Sequence, residues 1–162
     1  MRVHFKVMPN KSSTDKRTDP YYQAQAILSH RDQVEAEMRM KLARKGFAPV
    51  QIDQVLARLK QEKLIDDNHF AARYVENTLR FKRVGPRWLE AKLRQKKIPA
   101  QIVTNVLAMA YGEGVEEQLV RAAVTAWKHQ HATLAHDRTR LFRFLVSRGF
   151  SSGSIIAVLG ET

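Results

Sequence analysis

The sequence repeats itself three times. Met38, Leu42, Lys45, Gly46, Phe47, Ile52, Val55 and Leu56 return 51 residues later as Leu89, Leu93, Lys96, Lys97, Ile98, Val103, Val106 and Leu107. They return again after 52 more residues as Leu141, Leu145, Arg148, Gly149, Phe150, Ile155, Val158 and Leu159. Apolar residues fall on apolar ones and a base falls on a base, so the chain is an array of similar units. A unit of about 50 residues buries only roughly 60% of its unfolded surface, so each is expected to lean on its neighbours.

Within each unit the apolar residues stand three and four apart, as in Phe70, Ala71, Tyr74, Val75, Thr78 and Leu79. That spacing is one face of an α-helix and not the alternation of a strand. Pro49, Pro86 and Pro99 open such segments, where proline's fixed φ suits the first turn, while Gly46, Gly112 and Gly149 follow the ends of others. The pattern predicts nine helices, near residues 21–29, 33–45, 49–62, 67–81, 86–96, 99–111, 115–130, 137–148 and 152–159. The expected fold is all-α: a basic flexible tail over 1–20, then three tandem three-helix repeats over 21–63, 64–112 and 113–162.

Each middle helix ends alike. In the first and third units a base is followed by Gly-Phe, where glycine takes a left-handed conformation and the next apolar residue folds back onto the helix. The second unit has Lys97-Ile98 there. A left-handed Lys97 would cost on the order of 1 kcal/mol relative to glycine.

A balance of 44% apolar and 27% charged residues is that of a folded chain. The absence of cysteine fits a reducing compartment. The first eighteen residues hold six basic or histidine side chains and no apolar run, so they read as neither signal nor anchor. No segment approaches the roughly 20 apolar residues of a membrane span. We expect a soluble, cytoplasmic monomer.

Charge is not shared equally among the units. The net charge of +12 divides as +3 over residues 1–20, +3 over 21–63, +5 over 64–112 and +1 over 113–162. Residues 80–97 hold Arg80, Lys82, Arg83, Arg87, Lys92, Arg94, Lys96 and Lys97 against Glu90 alone. Such a window is a local positive field, whose usual partner is a polyanion; a solvated helix face is the plainer reading. Arg87 and Arg94, seven apart, fall on the helix face opposite Leu89 and Leu93. The loop before Pro86 adds a glycine near a helix N-terminus, whose N–H groups would favour an anion. Trp88, one turn from Lys92, reads as an inter-helix contact or as a platform for a base or the ammonium.

Other chemistry is thin. His129, His131 and His136 lack a cysteine or carboxylate at ligand spacing, so no metal is expected. Asp66 and Asp67 make better sense as a helix N-cap and its first-turn acid than as a catalytic pair. No phosphate loop and no nucleophile elbow occurs, so neither an enzyme nor a cofactor is expected.

Leu64, Ile65, Asp66 and Asp67, followed by Phe70, Ala71, Tyr74, Arg80, Gly85, Pro86, Leu93, Lys96, Lys97 and Ile98, closely resemble the central signature of the RecX family, regulators of the RecA recombinase. The first unit is similar to the preceding part of that family through Glu37, Met38, Arg39, Lys41, Leu42, Lys45, Gly46 and Phe47. The third resembles its more divergent C-terminal repeat through Arg143, Phe144, Leu145, Arg148, Gly149 and Phe150. Together these cover about residues 21–159. Lys97 departs from the family's usual glycine, which bears on the local loop shape.

The resemblance implies a non-enzymatic negative regulator. RecX proteins are elongated, curved arrays of three-helix repeats that bind the RecA filament on single-stranded DNA and limit its growth or promote its disassembly. Strand exchange, coprotease activity and ATP turnover then fall. On this expectation Arg80, Lys82, Arg83, Arg87, Arg94, Lys96 and Lys97 form the main RecA or DNA contact, extended by Arg39, Arg44 and Lys45. Two other classes remain open: a tandem helix-turn-helix-like DNA-binding protein, and a helical-repeat adaptor for an unrelated protein partner.

Overall fold

A computed structural model of the chain describes residues 18–131 and 137–160. The expectations for the basic tail before residue 18 and for His136 lie outside the described residues. Among those described, all regular structure is helical: α1 Pro20–Leu28, α2 Glu35–Arg44, α3 Pro49–Gln61, α4 Asp67–Phe81, α5 Pro86–Gln95, α6 Ala100–Ala110, α7 Val115–Gln130, α8 Arg138–Ser147 and α9 Ser152–Gly160. The all-α expectation holds, and each predicted helix has its counterpart.

Four starts differ from expectation. α1 opens one residue early, at Pro20 with Asp19 as its cap, and α8 one residue late, at Arg138 because Asp137 is its cap. α2 begins at Glu35 rather than residue 33 because Gln33 is buried outside the helix, where its carboxamide donates to the Arg31 carbonyl (3.2 Å) and accepts from Lys41 Nζ (2.9 Å). α6 begins at Ala100 because Pro99 is the cap and not the first helical residue. Ala48, 51 residues earlier, occupies the same capping position before α3.

Three hydrophobic clusters hold the array together. Met38, Leu42, Ile52, Val55, Leu56 and Leu59 centre the first, Ala71, Val75, Leu89, Leu93 and Val103 the second, and Val120, Leu141, Leu145, Phe150 and Ile155 the third. Two residues cross over. Val34, from the connection between α1 and α2, is buried in the second cluster, and Ile65, just before α4, is buried in the first. Fully burying a Val or Ile side chain contributes about 1.5–3 kcal/mol, so this exchange couples two small cores.

The middle helices end as the repeat predicts. Gly46, Lys97 and Gly149 have φ of +88°, +60° and +84°. Beyond them the N–H groups of Phe47, Ile98 and Phe150 reach back to the carbonyls of Leu42, Leu93 and Leu145 at 3.4, 3.2 and 3.3 Å. These are Schellman-type closures that satisfy the last carbonyls of each helix. Lys97 therefore adopts the left-handed conformation despite its side chain.

Their beginnings are capped differently. α1, α4 and α8 carry their own acids: Asp19, Asp66 and Asp137 accept from the N–H groups of Tyr21 (2.9 Å), His69 (3.0 Å) and Arg140 (2.9 Å). Asp66 is thus the N-cap and Asp67 the first helical residue, as expected. α2 and α5, whose caps are Val34 and Gly85, have no capping side chain of their own. The next unit supplies the acceptors: Asp67 Oδ1 for the N–H of Glu35 (2.9 Å), and the Arg148 and Gly149 carbonyls for the N–H groups of Gly85 (2.9 Å) and Arg87 (3.2 Å).

Candidate functional site

The basic window spans the end of α4, the connection to α5, and α5 itself. That connection is held rather than loose. Val84 is fully buried, and its carbonyl accepts the Tyr111 hydroxyl at 2.7 Å. Burial of Tyr111 pushes its phenol above the ordinary range. Next to it, Gly85 and Gly149 touch backbone to backbone: a Cβ on Gly85 would lie 2.3 Å from the Gly149 oxygen, and one on Gly149 would lie 2.3 Å from the Trp88 nitrogen. No side chain fits at either position. This corrects the expectation of an anion at the start of α5, since the N–H groups of Gly85 and Arg87 are already given to third-unit carbonyls.

The ten candidate bases fall into two sets. Arg80 pairs with Glu76 (3.7 Å), Arg94 with Glu90 (2.7 Å), Lys96 with Glu37 (3.6 Å), and Arg39 with Glu35 (3.6 Å) and Asp53. The Asp53 hydrogen bond holds the Arg39 guanidinium even above its ordinary range. Lys96 also stands over the rings of Phe70 (5.4 Å) and Tyr74 (5.7 Å) of its own unit, while its pair with Glu37 ties the second unit to the first. Lys82, Arg83, Arg87, Lys97, Arg44 and Lys45 are exposed and make no ion pair among the described residues. Arg44 and Lys45 sit at the far end of α2, and no described contact joins them to the others.

Trp88 answers to both of its readings. Its ring packs against the second core, and the ammonium groups of Lys82 and Lys92 stand over it at 5.2 and 5.4 Å. Its backbone meets Gly149. The third unit thereby brings Arg148 to the window, and Lys82, Arg83 and Arg148 line one cleft with Phe81, Trp127 and Phe144. Neither Arg148 nor the aromatics were expected in the site. The repeat itself held the signal for Arg148, which is the counterpart of Lys45 and Lys96.

Among the described residues no group of three His, Cys, Asp or Glu side chains could hold a metal ion, and no helix is long and apolar enough to cross a membrane. The third helices are poor candidates for a recognition helix: in α3 Arg58 is tied to Glu62 (2.8 Å) and Lys60 to Glu35 (3.0 Å), and α6 carries no base.

Known proteins share this architecture. The family model for the first three-helix domain of RecX matches residues 21–59, and that for the second matches residues 66–107. The regulatory protein RecX of Prosthecochloris aestuarii is 34% identical over 134 residues, 83% of this chain and 87% of that protein. The chain belongs to the RecX family. A longer member, from Lacticaseibacillus paracasei, is 31% identical over 79% of this chain, which spans 54% of that relative's length. The crystal structure of RecX from Lactobacillus salivarius shares the fold, with a TM-score of 0.81 at 19% identity over 91% of this chain and 96% of that one. That coverage has to include most of the third unit, so the whole array is a RecX fold. RecX members carry the designation of regulatory proteins, and the all-helical repeat seen here is theirs.

Proposed function

We propose that this chain is a non-enzymatic negative regulator of the RecA recombinase. It acts in the cytoplasm as a monomer with the three units bounded at residues 21–63, 64–112 and 113–162. It binds the RecA filament on single-stranded DNA and limits its extension or promotes its disassembly, lowering strand exchange, coprotease activity and ATP turnover. The observation that carries this reading is membership of the RecX family along both matched domains. The uncompensated bases Lys82, Arg83, Arg87 and Lys97 give the array an electrostatic attraction to a DNA-loaded filament. Arg80, Arg94, Lys96 and Arg39, which already hold carboxylates, contribute less to it; Arg44 and Lys45 offer a second, separate basic point on the first unit.

The test is RecA ATPase on single-stranded DNA, titrated with this protein and with a variant carrying Arg83→Glu and Arg87→Glu. Inhibition well below one molecule per protomer indicates action at filament ends, and a stoichiometric requirement indicates coating of the filament. The double reversal should weaken inhibition and lower the salt slope by about one for each phosphate that is no longer neutralised. No inhibition by the wild-type protein at any ratio would sink the proposal.

A further inference from the structure

The cleft between the second and third units differs in composition from three other clefts among the described residues. Its volume is about 200 Å³, and the charged groups that line it are all basic: Lys82 and Arg83 from the connection after α4, and Arg148 from the end of α8. The clefts beside the first junction mix bases with Asp32 and Asp66, or with Glu35 and Asp67. The groove between α4 and α6 is apolar, with Glu76 its one charged residue. Here Lys82 and Arg83 have no carboxylate partner among the described residues, and the Arg148 guanidinium lies 5.1 Å over the Phe144 ring. At the rim Phe81 is 78% exposed, an aromatic ring left open by the described residues.

We infer that this cleft binds single-stranded nucleic acid directly, with Lys82, Arg83 and Arg148 against its phosphates and an unstacked base against Phe81. Bases interleaved with aromatic rings form the chemistry that holds a single strand: phosphate is neutralised by the cations, and every base offers a π-face to stack. A duplex has no such free face. An acidic protein segment would need the cations but leaves the Phe81 ring unused. The site is composite, because its bases come from two units. Their relative placement is set by the Gly85–Gly149 contact, so the cations are held in position before the strand arrives. This inference rests on the reading that the chain works at a DNA-loaded filament, and adds that the strand itself, and not RecA alone, is a ligand.

The experiment uses the full chain without RecA and follows fluorescence anisotropy of a labelled oligothymidylate. Phe81→Ala should weaken binding about tenfold. Met109→Ala, which removes an 86% exposed apolar side chain from α6, should leave it unchanged. An abasic strand of the same length should bind the wild-type protein about tenfold more weakly, and Phe81→Ala should weaken that no further. Equal binding of the abasic and normal strands overturns stacking. No binding without RecA, or displacement by polyglutamate as effective as by unlabelled strand, overturns the site as one for nucleic acid. RecA ATPase on the same preparations separates the two claims. Inhibition without strand binding removes this inference and leaves the proposed function, whereas strand binding without inhibition does the reverse.

Discussion

Lys97 shows how a residue can be held against its own preference. With φ at +60° it closes the middle helix of the second unit as Gly46 and Gly149 close theirs, and the hydrogen bonds around it match theirs. Core packing imposes this conformation: Leu89 and Leu93 below the turn and Ile98 beyond it are all buried, so the chain must reverse at that point whatever occupies it. Lys63 after α3, with φ +56°, does the same, and its N–H and that of Leu64 close the helix onto Lys60 and Leu59. Lys97→Gly should therefore raise stability by about 0.5–1 kcal/mol, read as a higher urea midpoint. A lower midpoint would mean that the lysine side chain contributes more than its backbone strain costs. If its exposed ammonium meets the filament, the same variant inhibits RecA less while folding better.

Among the helices, the informative contrast lies in the starts of the three middle ones. α8 keeps an acid of its own, Asp137, while at the matching positions α2 has Val34 and α5 has Gly85 and take their acceptors from the following unit. Asp67 consequently does two things, opening α4 and accepting the Glu35 N–H. Burial pushes its carboxyl above the usual range, and the Glu35 hydrogen bond only partly opposes that shift. Since the folded value lies above the unfolded one of about 3.9, the fold favours the protonated form. The stabilisation this group gives is complete below the unfolded value and is lost as pH rises through the folded one. Asp67→Asn keeps an acceptor without the charge. Its urea midpoint should vary less with pH than the wild type's between about pH 4 and neutrality. A steeper dependence in the variant would show that the ionised carboxylate is the favoured form.

Across the whole molecule, the two junctions are built from different materials. The first rests on exposed ion pairs, such as Arg73 to Asp32 (2.8 Å), together with the exchange of Val34 and Ile65 between cores. Isolated surface pairs contribute about 0–1 kcal/mol and weaken in salt. The second is a backbone contact with no room for a methyl group on either side. Gly46→Ala and Gly149→Ala place the same side chain at the same φ, but Gly46 faces open space. The first change should cost only about 1 kcal/mol of backbone strain. The second adds a clash with Trp88 and should cost about 2–4 kcal/mol. Calorimetry on the two variants checks this, with equal losses contradicting it. Because Gly149 also sets Arg148 against Lys82 and Arg83, Gly149→Ala should weaken RecA inhibition even at temperatures where it stays folded.

The sequence alone determined the helices and their order, because apolar periodicity and the turns that end the middle helices are local properties that the repeat states three times. The position of Asp66 as a cap, and of Gly46 and Gly149 as turns, was legible for the same reason, whereas Asp137 was placed inside the helix that it caps. Only the tertiary structure decided which bases are available. Charge along the chain grouped Arg80, Arg94 and Lys96 with Arg83 and Arg87; Glu76 and Glu90 hold the first two from one turn away on the same helices, but Glu37, which holds Lys96, comes from another unit. The cleft that joins Arg148 and Phe144 to Lys82 and Arg83 was hidden likewise, since its two walls come from different units, far apart along the chain. Such proximity depends on how one unit docks on the next, and a contact between two glycine backbones leaves no pattern in side-chain chemistry to announce it.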